Sequence, residues 1–169
     1  MVATIKVGKM AAAAGTTVNV ESGHLITGAA GSIVAPGHVI QVLSAGMNTS
    51  KSTTSTSFVA TTHSVTITPK FNDSKVFLNV SGGSWYVNAG ETWCTFYRDS
   101  TNLGHSTYGL TESSQTGYNP HSFSFVDSPT TTSAITYEVY FRVSNSSNTS
   151  YYSYPNYGTV YLTAMEIAQ

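Results

Sequence analysis

Charge is what this sequence most lacks. Of 169 residues, seven are Lys or Arg and eight are Asp or Glu, so that 9% are charged, against about 25% in an ordinary soluble domain. The formal net charge is −1 and the basic residues are scattered from Lys6 to Arg142. No basic stripe exists that could track a phosphate backbone, so nucleic acid is not an expected partner. Cys94 is the sole cysteine, which excludes a disulfide within the chain and leaves it as a small buried hydrophobe. No apolar run comes near the roughly 20 residues that cross a bilayer. The short Met10–Ala14 stretch beside Lys6 and Lys9 does not read as an export signal, so neither membrane insertion nor export is expected.

What replaces charge is hydroxyl, amide and aromatic. There are 24 Ser, 25 Thr, 10 Asn and 14 Gly, with 11 Tyr, 7 Phe and 2 Trp. Solubility therefore rests on hydroxyl and amide groups. At 40% hydrophobic and 12% aromatic, the chain has enough to build a core and is not read as disordered.

Two textures divide it. Residues 1–36 are rich in Ala, Gly, Thr and Val and end in the breaker cluster Gly31 to Gly37. The four-alanine run is too short for a stable isolated helix. This segment is read as an extended arm for anchoring or trimerisation, with Ile5, Val7, Val18, Val20, Leu25 and Ile26 as its contact residues. From residue 37 to 169 the pattern has period two, broken by Gly, Asn, Ser and Pro clusters. Strands are predicted at 39–44, 57–61, 64–68, 75–81, 84–87, 92–98, 121–126, 135–143 and 159–168. In the clearest, Ile135, Tyr137, Val139, Phe141 and Val143 alternate with Thr136, Glu138, Tyr140 and Arg142. In the last, either Val160, Leu162 and Ala164 or Tyr161, Met165 and Ile167 face inward. Short strands, polar outer faces and no long helix predict an all-β antiparallel sandwich, best matched by a jelly roll.

No catalytic motif emerges. Gly104-His105-Ser106-Thr107-Tyr108-Gly109 lacks nucleophile-elbow spacing, and Asp99, Glu112 and Asp127 sit at strand ends or loops, where turn formation is the simpler role. The five histidines show no metal-ligand spacing; a single His24 or His38 could still become three ligands on a threefold axis. No cofactor is expected. Asn-x-Ser/Thr occurs at Asn48, Asn72, Asn79, Asn145 and Asn148, a cheap match in so hydroxylated a chain. The informative residues are aromatic. Trp85, Tyr86 and the stretch from His105 and Tyr108 to Tyr118, with Glu112, form one set; Tyr151, Tyr152, Tyr154, Tyr157 and Tyr161 form another. Tyrosine offers a rigid apolar face and a hydroxyl, which suits contact with a sugar or another protein. The candidate contacts are Trp85, His105, Tyr108, Tyr118, Tyr151, Tyr152, Tyr154 and Tyr157, with packing at the sandwich ends or between subunits as the alternative role.

Several segments, in order, resemble a family of virion proteins of cyanophages and related marine tailed phages. They are Thr53 to Val59, Val65 to Pro69, Ser74 to Val80, Tyr97-Arg98-Asp99-Ser100-Thr101, Phe125-Val126-Asp127-Ser128-Pro129 with Thr132 to Tyr137, and Thr163-Ala164-Met165-Glu166-Ile167-Ala168. Ala3 to Val7 likewise resembles the start of phage fibre or appendage proteins. The resemblance implies a non-enzymatic structural protein with a jelly-roll domain, a homotrimer, on the capsid surface or a tail fibre of the virion. Glu138 departs from the family's pattern, and the Tyr151–Tyr157 loop does not follow it. The expectation is a capsid decoration or head-fibre protein, assembled in the host cytoplasm and held by its arm to other virion proteins. The alternatives are a tail-fibre tip or adhesin binding host polysaccharide, and a free carbohydrate-binding module.

Overall fold

The structure, a computed structural model, describes Ser22, residues 34–154 and residues 156–169. Ile5, Val7, Val18, Val20, Leu25 and Ile26 of the anticipated arm, and His24, lie outside the described residues. All the described strands belong to the unit Val34–Gln169.

Eleven strands are described and no helix: β1 (Val39–Met47), β2 (Lys51–Thr53), β3 (Val59–Ile67), β4 (Lys75–Val87), β5 (Thr92–Arg98), β6 (Thr101–Asn102), β7 (Thr111–Ser113), β8 (Gly117–Asp127), β9 (Ile135–Val143), β10 (Ser150–Tyr152) and β11 (Val160–Ile167). They form two antiparallel sheets packed face to face. The first runs β1-β11-β4-β10-β2, with β8 also on β4; the second runs β3-β9-β5-β6, with β7 also on β5. β8 follows β4 from Val76 to Val87, while β11 and β10 share the opposite side of β4.

The core lies between the sheets and is built by alternation. Ile135, Tyr137, Val139, Phe141 and Val143 are buried on β9, opposite Val76, Leu78 and Val80 of β4 and Val160, Leu162 and Ala164 of β11. Each of the Val, Leu, Ile and Phe side chains contributes roughly 1.5–3 kcal/mol by leaving water. Phe96 and Phe123 stack across the sheets with ring centroids 4.7 Å apart. Cys94 is free and wholly buried. The phase that the sequence left open in β11 is thus the one led by Val160.

Two strands that the sequence divides are each continuous through a bulge. In β3 the register against β9 slips between Ala60 and Ser64, where Thr62 adopts φ 69°. The slip keeps the alternation in phase, so Thr61 and His63 face inward together with Val65 and Ile67: the Thr61 hydroxyl donates to the Val139 carbonyl at 2.7 Å, and the His63 N–H donates to Thr61 Oγ1 at 3.1 Å. In β4 the register against β8 slips between Ser81 and Ser84. Gly82 (φ 81°) and Gly83 (φ 59°) occupy this bulge, and a Cβ on Gly83 would stand 2.5 Å from Val160 Cγ2. Only glycine meets both conditions.

Two carboxylates are enclosed. Asp127, ending β8, accepts from Arg98 Nη1 at 2.9 and 2.8 Å and from the Tyr137 hydroxyl at 2.7 Å. It therefore joins the first sheet to β5 and β9 of the second. Burial, and then the hydrogen bond to Asp127, push the Tyr137 phenol far above its ordinary pKa. Glu166 continues the inward phase of β11 and is wholly buried. Its Oε1 accepts from Lys70 N (2.7 Å), Phe71 N (3.3 Å) and Ser74 Oγ (2.7 Å), and its Oε2 from Gln41 Nε2 (2.6 Å). Burial works to raise its pKa, but these donors outweigh it and hold the carboxyl below the usual glutamate range.

A carboxylate with a depressed folded pKa stabilises fully above its unfolded value, about 4.3, and that stability is lost as pH falls through the lower folded value. Glu166→Gln should cost about 1.5–3 kcal/mol at pH 7. In urea titrations, its gap from wild type should narrow steadily below about pH 4.3.

Candidate functional site

The β4 bulge decides which aromatic side chains reach solvent. Before it, even-numbered residues point inward; the extra residue inverts the phase, so that Trp85 and Val87 are buried and Tyr86 faces out. Cross-strand pairing then sets Ser52, Tyr151, Tyr86 and Tyr118 in one row over β2, β10, β4 and β8. The loop after β10 lays Tyr154 and Tyr157 over this row. It is tied down by Tyr154 N donating to Ser84 O at 2.8 Å and by Ser153 Oγ donating to Met47 O at 2.8 Å.

Five tyrosines form a contiguous cluster on the outer face. Tyr86 lies 4.9, 5.8 and 5.6 Å by ring centroid from Tyr118, Tyr151 and Tyr154. Tyr118 and Tyr157 stack at 4.0 Å with planes 14° apart. Both are about half exposed, at 45% and 49%. The hydrogen bond to Tyr157, followed by burial and the neighbouring phenols, pushes the Tyr118 pKa up to about 12. The phenol is neutral throughout the physiological range, and the cluster itself contains no Lys, Arg, Asp or Glu. It can act by stacking and by hydroxyl hydrogen bonds.

The remaining candidates go elsewhere. Tyr152 points into the core, wholly buried, and is not available to a ligand. Its hydroxyl lies 2.7 Å from His63 Nδ1, while His63 Nε2 lies 2.8 Å from the Ala45 carbonyl. A neutral imidazole protonated on Nε2 satisfies both contacts, and burial lowers the His63 pKa against the opposing pull of the Ala45 carbonyl. Trp85 is buried but lines a cleft of about 280 Å³ where the free edges of the sheets face each other, between Thr111–Ser113 of β7 and Asn119, Pro120, Ser122 and Phe123 of β8. His105 and Tyr108 stack at 5.0 Å, and Tyr108 meets the edge of Trp93 at 5.8 Å. Arg142 lies 4.8 Å over the Trp93 ring, and Trp93 Nε1 donates to Glu112 at 3.2 Å. Tyr161 is exposed over Gly46, apart from the cluster.

No family model matches the chain, and comparison with curated proteins finds no similar one.

Among the described residues no group of three or more His, Cys, Asp or Glu is placed to hold a metal ion. His38 is exposed and its Nδ1 accepts from Ala35 N at 3.3 Å. The sequence alone separates Tyr118 from the second tyrosine set and omits Tyr86 from the candidate contacts, although Tyr86 touches three of the other four rings. The signal for this was Gly82-Gly83, because adjacent glycines inside a strand pattern mark a bulge and hence a change of phase.

Gly83→Ala forces a left-handed backbone on alanine, about 1–2 kcal/mol, besides the approach to Val160. Urea unfolding should show at least that loss, with weakened near-ultraviolet tyrosine dichroism as Tyr86 loses its place in the cluster.

Proposed function

We propose that this chain is a non-enzymatic structural protein on the surface of a tailed-phage virion, of the capsid decoration or head-fibre kind. Residues 1–36 anchor it to other virion proteins and hold a homotrimer, and the sandwich is a jelly roll exposed to solvent. The observation that carries the reading is the strand order. With the short strands β2, β6 and β10 set aside, the chain passes from β1 to β3, β4, β5, then β7 to β8, β9 and β11, changing sheet at every step except β5 to β7 and leaving β1-β11-β4-β8 against β3-β9-β5-β7. Such an order is what two wrapped Greek keys produce, an architecture used by viral capsid and lectin domains.

A second observation supports the virion reading. Arg98, Asp127 and Tyr137 come from segments that carry the resemblance to cyanophage virion proteins, and they meet in one hydrogen-bonded group. Ser74 and Glu166 join two more. Distant stretches of the likeness are thus joined through the fold. The tail-fibre or adhesin reading draws instead on the exposed tyrosine cluster.

Sedimentation of the full chain is expected to give three times its 18.0 kDa mass; a folded monomer contradicts the trimer. Gold-labelled antibody on purified particles should decorate the head shell. Label confined to the tail would replace the decoration reading with the fibre reading, and unlabelled particles would reject both.

A further inference from the structure

The tyrosine cluster has the chemistry of a recognition surface for a neutral saccharide, and we propose that it binds an uncharged oligosaccharide segment along the Tyr118–Tyr157 pair and Tyr154. The inference deepens the adhesin reading and does not require a particular position on the particle.

Three observations carry it. The first is the kind of surface exposed. Tyr118 and Tyr157, nearly parallel at 4.0 Å and each about half exposed, present aromatic faces and hydroxyls together. Pyranose rings have the complementary pattern, with C–H groups on their faces and hydroxyls around their rims. An aliphatic protein surface would leave the phenol hydroxyls unpaired, at a cost for each.

The second is charge. The row Ser52, Tyr151, Tyr86, Tyr118 and the overlying Tyr154 and Tyr157 contain no ionised side chain, and the phenol of Tyr118, its pKa pushed up to about 12, is neutral at physiological pH. Nothing in the cluster compensates an anionic sugar, so a sialylated or uronic-acid ligand would lose hydration without gaining an ion pair. Neutral sugars carry no such penalty.

Preorganisation is the third. Tyr154 lies 5.2 Å from Tyr118, 5.5 Å from Tyr151 and 6.0 Å from Tyr157 by ring centroid, and its own backbone N–H is fixed to Ser84 O at 2.8 Å. The rings therefore support one another before any ligand arrives, which reduces the ordering cost of binding. Tyr86 acts as a positioning residue against Tyr118, and Tyr151 supports Tyr86 and Tyr154.

The test uses the full chain and a set of defined oligosaccharides: neutral hexaoses of glucose, mannose and galactose, with hexagalacturonate as the acidic control. Isothermal titration and tyrosine fluorescence should show at least one neutral hexaose binding with a millimolar or tighter Kd, changed less than twofold by 0.5 M NaCl. Tyr157→Ala and Tyr118→Ala should each weaken it at least tenfold while the unfolding midpoint holds. Tyr157→Phe, which keeps the stacking ring, should weaken it less than Tyr157→Ala. Absence of binding to all neutral hexaoses would overturn the proposal, as would salt-sensitive preference for hexagalacturonate or equal affinity in the alanine variants. Head labelling of particles without saccharide binding would reject this inference and leave the virion reading standing; saccharide binding by a chain absent from particles would do the reverse.

Discussion

A carboxylate enclosed in a β-sandwich is tolerable only if its oxygens are met by donors, and Asp127 satisfies that constraint by binding the two sheets together. Its oxygens take Arg98 from β5 and Tyr137 from β9 while its backbone remains paired to β4. A buried ion pair is weak evidence of net stability, because desolvation offsets much of the attraction. What the arrangement supplies is register: three strands from two sheets meet at one point with short distances. The apolar contacts between the sheets, including Phe96 against Phe123, are less directional and follow the alignment that the polar group sets. Glu166 performs a related task at the β3–β4 connection, gathering the backbone N–H groups of Lys70 and Phe71 with Ser74 and Gln41.

Much of this fold was legible in the sequence wherever alternation ran uninterrupted. Ile135–Val143 reads correctly because a period of two has one apolar phase there. Legibility failed at the bulges. Thr62 and Gly82-Gly83 each add length on one strand only, so a continuous strand reads as two, and at Gly82-Gly83 the inward phase also inverts. Trp85 and Tyr86 exchange faces on that account. Glu166 was opaque for another reason: a glutamate in an inward phase makes sense only once the donors from residues 70, 71 and 74 are known, and these lie more than 90 positions away. Tyr151-Tyr152-Ser153-Tyr154 offered no apolar alternation at all, and only the pairing of β10 sends Tyr152 inward.

The division of labour among residues follows from the same geometry. Asp127, Glu166, Arg98 and Tyr137 are committed to holding the sandwich. The clustered tyrosines come from β4, β8, β10 and the loop after it. The scarcity of charge has a consistent place in this scheme. Among the described residues there is one ion pair, Arg98 with Asp127, and it serves the interior; the outer tyrosine face is left neutral, solvated by hydroxyls.

Asp127 is the link on which the alignment of the two sheets depends, and a double-mutant cycle measures that link directly. Urea unfolding of Asp127→Asn, Tyr137→Phe and the double variant should show a loss of about 2–4 kcal/mol for Asp127→Asn and a coupling energy of at least about 1 kcal/mol between the two positions. Losses within about 0.5 kcal/mol for Asp127→Asn, or strict additivity with Tyr137→Phe, would contradict it.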